Sequence, residues 1–268
     1  MRRSTALLLG AILTATSSHA EELAADAVPL DADIVVMGEY HDVPAHHVNQ
    51  ADWVRRMGAR AIVFEMLVPG QGDAAEAERL APAEILGAAL DWEARGWPDF
   101  AIYDPIFKAS GEAELFGAEV SREALGEAVA EGAAAVFPGD AALFGLDEAL
   151  PEDVRAEREA EQDEAHCGLL PEEMLPGMVE AQRLRDATLA AQALAALDAT
   201  GGPIAVVTGN GHARRDRGVP AMLALARPDL RVLALGQLTA PDPDAPFDAW
   251  VVTADDASGR GDPCDALR

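Results

Sequence analysis

Two uninterrupted apolar runs, Asp33-Ile34-Val35-Val36-Met37 and Ile204-Ala205-Val206-Val207-Thr208, constrain the fold more than any other feature, because both end in the same punctuation. Gly38-Glu39-Tyr40-His41 follows the first, and Gly209-Asn210-Gly211-His212 follows the second. A short run with no polar alternation reads as a strand buried on both faces, as in parallel sheets covered by helices. A glycine just past such a strand is expected to free the backbone to turn, presenting the histidine three residues on at the strand's carboxyl end. In open parallel α/β sheets that edge is where ligands bind. One such histidine could satisfy itself in a loop; two in like settings, far apart in sequence, point to a single site.

The segments around the runs fit a sheet of this kind. Residues 44–57 have helical periodicity with Pro44 near the first turn, and Ala61-Ile62-Val63-Phe64 reads as the next strand. This is a βαβ unit, which builds parallel sheets, and it places Glu65 at the same edge as His41. Further strands are expected at 204–208, 231–235 and 249–253, with a helix at about 219–227 completing a second βαβ unit. Between the two units the sequence predicts helices over 82–95, 121–131 and 151–165 and a short strand over 115–120. The run 172–197 reads as an alanine-rich helix broken or kinked near Pro176-Gly177, with Gln182, Arg185, Asp186 and Leu189 sharing one face. The architecture expected is one α/β domain over 21–268. Its central parallel or mixed sheet has helices on both faces, and a helical insertion at about 70–200 covers the carboxyl edge of the strands.

Half of the 268 residues are apolar, enough for a sizeable core. Met1-Arg2-Arg3-Ser4, the short apolar stretch after it and Ser18-His19-Ala20 have the layout of a secretory signal, so the mature chain is expected to begin near Glu21, in the periplasm or outside the cell. No stretch approaches the roughly 20 apolar residues of a membrane-spanning helix, so an integral membrane protein is not expected. Export would place Cys167 and Cys264 in an oxidising compartment, where they are expected to pair and clamp the tail 259–268 onto the body. In the chain-entropy picture such a bridge contributes roughly 4–5 kcal/mol. The competing use is a soft metal ligand from Cys167 beside His166.

A net charge of −27, from 47 acidic and 20 basic residues, argues against a nucleic-acid partner, because phosphate contacts need a basic footprint. Against this background Arg214, Arg215 and Arg217 stand out immediately after His212, either as a solvated loop or as an anion-binding patch. The first half also supplies Glu39, His41, Asp42, His46, His47 and Glu65, with Glu39 and His41 expected on an irregular segment; the second supplies Asn210 and His212. Two imidazoles with carboxylates can hold a metal ion and its water, or can do acid–base work unaided, and spacing leaves both open. The His-Glu-x-x-His helix, the Gly-x-Ser-x-Gly elbow and a phosphate-binding glycine loop are all missing from the sequence. Of His46 and His47, one is expected to face the site and the other solvent, with Gln50 on a face with either. Tyr40 and Tyr103 are the only tyrosines, and a phenolate is a ligand for ferric haem. Trp97 and Tyr103, with Pro98 and Pro105, suggest core or the wall of an apolar pocket.

Several segments together resemble the ChaN-like haem-binding uptake proteins, which belong with the Tiki/TraB and erythromycin-esterase proteins in a wider superfamily. They are Gly38-Glu39-Tyr40-His41-Asp42 with His46-His47 and Gln50, Phe64-Glu65-Met66, Tyr103-Asp104-Pro105-Ile106, Ala181-Gln182-Arg183-Leu184-Arg185-Asp186, and Gly209-Asn210-Gly211-His212-Ala213-Arg214 to Gly218-Val219-Pro220. The resemblance spans about residues 33–240. It implies an exported protein of iron or haem acquisition whose partner is a small anionic ligand such as haem, with a homodimer among its allowed forms. It implies a cofactor-contacting set of Tyr40, Tyr103, Arg214, Arg215, Gln182 and Arg185. For the alternative, a metal-dependent esterase- or protease-like hydrolase, it carries over Glu39, His41, Glu65 and His212 as both catalytic and metal-holding positions, with a divalent ion in place of haem. One segment departs from the pattern: where some members carry a tyrosine after the second Gly-x-x-His, this chain has Ala213-Arg214-Arg215-Asp216-Arg217, so a tyrosine ligand would be Tyr40 or Tyr103.

Overall fold

The computed structural model describes residues 21–253 and Cys264; the signal-like segment 1–20 and the rest of the tail lie outside the described residues. The strands are β1 (Glu21–Glu22), β2 (Ile34–Glu39), β3 (Ala61–Phe64), β4 (Glu114–Gly117), β5 (Ile204–Gly209), β6 (Val232–Leu238) and β7 (Ala249–Val252). They form one seven-stranded sheet in the order β1-β7-β6-β2-β5-β3-β4. Every pairing is parallel. The helices are α1 (Pro44–Met57), α2 (Gly72–Glu78), α3 (Ala83–Ala89), α4 (Phe100–Ala109), α5 (Arg122–Glu131), α6 (Ala133–Val136), α7 (Glu152–Ala165), α8 (Leu175–Thr200) and α9 (Val219–Ala226). The fold is therefore α/β, with a parallel sheet between helical layers.

The two apolar runs are neighbours. β2 lies between β5 and β6, and its register with β5 runs from Ile34 opposite Ile204 to Glu39 opposite Gly209. Side chains alternate between the faces, as a pleated strand requires. Val35, Met37, Ile62, Phe64, Ala205 and Val207 share one core with Trp53 of α1 and Tyr103 and Phe107 of α4. Ile34, Val36, Val63, Ile204 and Val206 share the other with Leu184, Ala187 and Ala190 of α8 and Leu223 of α9. Burial on both faces explains why the runs have no polar alternation.

Several details correct the sequence expectations. Glu39 is the last paired residue of β2 and not part of an irregular segment. Gly38 and Gly209 also serve a different purpose from the one expected, since neither has positive φ. A Cβ on Gly38 would lie 2.3 Å from Asn210 Oδ1, and one on Gly209 would lie 3.0 Å from His41 Nε2, so both glycines permit close approach. The helix expected over 82–95 is split into α3 and a separate 3-10 turn at Glu93–Arg95, with Asp91 at φ 52 between them. α8 is unbroken by Pro176, which sits in its first turn where no N–H donor is needed. The aromatic–proline segment is helix α4, capped by the Asp99 side chain accepting from the Ala101 N–H at 2.9 Å. The short strand expected over 115–120 is present as β4, shifted to Glu114–Gly117, and extends the sheet beside β3.

Cys167 and Cys264 form a disulfide across 97 residues, with a Cα–Cα separation of 5.8 Å, which removes the thiol that a Cys167 metal ligand would need. Among the described residues, no helix is long and apolar enough to cross a membrane.

Candidate functional site

Because β2 and β5 are adjacent and in register, the turns that follow them bring His41 and His212 to one place at the carboxyl edge. Glu39, buried at the end of β2, organises the first half. Its Oε1 accepts hydrogen bonds from Tyr103 Oη and His41 Nδ1, each at 2.7 Å, and faces His47 Nε2 at 3.4 Å. Burial opposes the charge on Glu39, but hydrogen bonds from His41 and His47 outweigh it and hold the carboxyl down at about 2. His41 shows the converse balance: burial disfavours its proton, while Glu39 and Glu65 draw its pKa upward. Burial and the negative Glu39 both raise the Tyr103 phenol, which therefore stays protonated as a donor.

Glu65, one residue past β3, joins this half to the second. Its Oε2 accepts from Thr208 Oγ1 at 2.7 Å and from the Gly209 N–H at 2.8 Å, with His41 Nε2 at 3.9 Å. Its Oε1 faces His212 Nε2 at 3.4 Å and Arg185 Nη1 at 3.7 Å. On the far side of His212, Nδ1 donates to Asp186 Oδ1 at 2.6 Å, and the Gln182 amide lies 3.1 Å from the same nitrogen. Burial opposes the charge on His212, yet Glu65 and Asp186 on either side push its pKa up to about 10. Burial dominates at Asp186 and raises its pKa even though His212 opposes this. Of that pair the imidazole holds the proton, because Glu65 supplies a second negative charge that Asp186 does not see as favourable. Glu65 itself is held well below the carboxylate range: burial opposes its charge, but His212 and His41 outweigh it.

The structure thus gathers Glu39, His41, Glu65 and His212 into one cluster, with Gln182 and Arg185 reaching it from α8. His41, Glu65, Trp97 and Arg185 line a cavity of about 310 Å³ above it. A cleft of about 540 Å³ at the opposite edge, between Asp33, Arg56 and Arg231, holds no such cluster. Asp186 and Thr208 belong to the cluster although the sequence assigned them no binding or catalytic role, and His47 is the member of the His46–His47 pair that approaches Glu39. The only available signal was the i, i+4 spacing of Asp186 from Gln182.

Other expectations need revision. His46 and His47 are both fully buried, so neither faces solvent. His46 Nδ1 accepts the Tyr40 N–H at 3.0 Å, and Gln50 donates to the Met37 carbonyl at 3.1 Å. Asn210 ties β5 to β6, donating to the Gln237 carbonyl at 2.7 Å and accepting the Gln237 N–H at 3.1 Å. The arginine trio is not a free anion patch. Arg214 pairs with Asp216 at 2.7 Å, Arg215 lies 3.7 Å from Asp248, and Arg217 pairs with Glu161. The tyrosines separate sharply: Tyr103 is fully buried and bonded to Glu39, whereas Tyr40 is 40% exposed. Among the described residues, no group of three or more His, Cys, Asp or Glu side chains is placed to hold a metal ion. The imidazoles at the centre are turned toward carboxylates as hydrogen-bond and charge partners, an arrangement suited to proton handling.

Comparison with known proteins places this geometry. A sequence model of the family described as haem-binding uptake, Tiki superfamily, ChaN matches residues 28–223. Among solved structures, one described as cofacial haem binding to ChaN of Campylobacter jejuni is 18% identical, with a TM-score of 0.64, over 81% of this chain and 86% of that one. The type III effector HopBA1 is 11% identical with a TM-score of 0.43, over 85% of this chain and 90% of that one. An erythromycin esterase EreC mutant is 16% identical with a TM-score of 0.41, over 82% and 75% respectively. The first likeness shows a shared fold, and the other two are too distant to carry an argument. No curated protein matches the sequence.

Proposed function

Since the chain belongs to the ChaN haem-binding uptake family of the Tiki superfamily, we propose that it is an exported protein that binds haem at the carboxyl edge of its sheet, with Tyr40 facing the iron. The observation that carries this reading is the contrast between the two phenols. Tyr103 is sealed in the core and committed to Glu39, while Tyr40 is exposed at the strand end and its hydroxyl has no hydrogen-bond partner among the described residues. Haem supplies a ferric iron that accepts a phenolate oxygen, and an exposed phenol is the donor in this chain that fits it. The turn bearing Tyr40 is already held, by its N–H on His46 and by its ring 5.6 Å from the His46 ring. Arg185, whose ion pair with Glu65 is long at 3.7 Å, is suited to a haem carboxylate. The arginines at 214 and 215 would first have to exchange their acidic partners. Export is supported by the signal-like start and by the disulfide, which persists in oxidising compartments.

Titration of the purified protein with hemin should give a saturable Soret shift. Tyr40→Phe should weaken binding at least ~10-fold, about 1.4 kcal/mol, and Tyr103→Phe should leave the spectrum of the complex unchanged. Unaltered binding by Tyr40→Phe would remove Tyr40 from this role.

A second reading, a hydrolase, is favoured by a specific feature that Tyr40 ligation does not use: two histidine–carboxylate pairs facing one another across Glu65. In this reading His212, protonated at neutral pH, is a proton donor, and His41 Nε2, open to the cavity, is the group that exchanges protons with substrate. A metal-dependent version requires these imidazoles to give up their carboxylate partners to an ion. Ester hydrolysis that survives EDTA but is lost in both His41→Ala and His212→Ala is the outcome expected of the acid–base form. Activity untouched by either substitution would eliminate the hydrolase.

A further inference from the structure

A second cavity, of about 500 Å³, lies between α5, α7, α8 and the turn after β5. It meets the cavity above Glu65 at Leu125 and Arg185, which line both, and Tyr40 lines neither. Four guanidinium groups, Arg158, Arg185, Arg214 and Arg217, face it against two carboxylates, Glu161 and Asp186. Both carboxylates are engaged already: Glu161 with Arg217 and Arg214, and Asp186 with His212. Three of the four cations have acidic partners, Arg214 with Asp216, Arg217 with Glu157 and Glu161, and Arg185 with Glu65, which leaves Arg158 as the guanidinium of the cavity without an ion pair among the described residues.

Arg158 is the residue that makes the cavity informative. It sits on α7 among Glu157, Glu159 and Glu161, yet it forms no hydrogen bond or ion pair with any described residue, and its Nε is closed off from solvent. A part-buried guanidinium whose Nε has no acceptor and which has no acid in ion-pair contact is costly, and the known remedies are an acidic side chain or a ligand. Its neighbours Glu157, Glu159 and Glu161 pair with Arg217, Arg155 and again Arg217. Burial, and then the neighbouring charges of Arg217 and Arg183, outweigh the more distant attraction of Asp186 and Asp216 and work against its proton, a balance that a bound anion shifts back. The uncharged wall mixes the polar Gln162, His166 and Gln182 with an apolar part that includes Leu125, Val129 and Met178.

From this combination we infer that the cavity binds a small amphipathic oxyanion, a carboxylate or phosphate ester with an apolar body, with Arg158 receiving the head group. The fork of a guanidinium matches the two oxygens of either head group, and Leu125, Val129 and Met178 cover the body. The site does not rest on the haem reading, because it excludes Tyr40 and keeps its own cation.

The test is calorimetric titration of the full chain with decanoate, decyl phosphate and inorganic phosphate, repeated on Arg158→Gln. The expected result is saturable binding of decanoate or decyl phosphate, weakened at least ~10-fold in Arg158→Gln, a difference of about 1.4 kcal/mol. Whichever of the two binds more tightly identifies the head group. Arg155→Gln, an exposed position on the same helix whose arginine lies 3.5 Å from Glu159, should bind like the parent chain. Without ligand, Arg158→Gln should melt no lower than the parent, because it removes an unpaired charge beside Arg217; a merely structural arginine would lower the melting temperature when replaced. If Arg158→Gln did not fold, Arg158→Lys, which keeps the charge and loses the fork, should fold and still weaken binding. No saturable binding of either decyl compound, equal binding by the Arg158 variants, or inorganic phosphate binding as tightly as decyl phosphate would overturn the assignment. Hemin titration of Tyr40→Phe reads the haem proposal separately.

Discussion

Glu65 is the residue on which both halves of the site depend, since one oxygen is fixed by Thr208 and Gly209 while the other faces His212 and Arg185. Its charge has a consequence for pH. His212 is raised from an ordinary 6.5 to about 10, so the stability tied to its charged form is complete below pH 6.5 and lost as pH rises through 10. Glu39 is lowered from 4.5 to about 2, so its contribution is present above pH 4.5 and lost as pH falls through 2. Thermal melts across pH should show both limbs, with His212→Gln flattening the alkaline one and leaving the acid one in place. Tyr103→Phe strips a donor from buried Glu39 and should cost about 1–3 kcal/mol in denaturant unfolding, more than a surface substitution. Much of this cluster was legible in the sequence, because Glu39, His41, Glu65 and His212 all stand at or just after strand ends. Tyr103 was expected only as a cofactor contact, His47 only as one of two candidates to face the site, and Asp186 only on a helix face with Gln182 and Arg185, since helices α4, α1 and α8 bring them and the docking angle of a helix is not written in its local spacing. The arginine trio misled in part for a related reason: Arg217 and Arg215 are met by Glu161 of α7 and by Asp248, both distant in sequence, while Arg214 pairs with Asp216 inside the same segment.

At the scale of elements, the register of β2 against β5 decides where the site forms, and Gly38 makes that register possible. Its missing Cβ leaves room for Asn210, whose side chain in turn stitches β5 to β6. Gly38→Ala should therefore destabilise the fold by about 1–3 kcal/mol through overpacking, read as a lower midpoint in urea at unchanged slope. Gly58→Ala is a useful contrast: it ends α1 at φ 60 with nothing within 4 Å, so its cost is that of a strained backbone alone. The strands and α1 were readable because burial on both faces and helical periodicity leave direct marks on composition. Helix α4 was not expected because its aromatic and proline residues read as core or the wall of an apolar pocket; Pro98 precedes the helix and Pro105 is accommodated within it. Over 82–95 the apolar spacing continues across a break, and the turn at Asp91 leaves no mark in hydrophobic pattern.

For the whole molecule, a parallel sheet with helices on both faces leaves its carboxyl edge as the place where separate segments meet, and both candidate ligand sites lie around it. The family match covers the stretch from residue 28 to 223, which includes every residue of the central cluster. The Cys167–Cys264 bridge ties the end of α7, next to the arginine-lined cavity, to the far end of the chain. Replacing both cysteines with serine should lower stability by about 2–5 kcal/mol, measured by denaturant unfolding of the parent and the variant under non-reducing conditions. The central claim is that haem sits at this edge with Tyr40 toward the iron. Resonance Raman spectroscopy of the hemin-loaded protein tests it most directly. A phenolate–iron signature present in the parent and in Tyr103→Phe but absent in Tyr40→Phe is the predicted result, and the same signature surviving in Tyr40→Phe, or no phenolate signature in the parent, would contradict it.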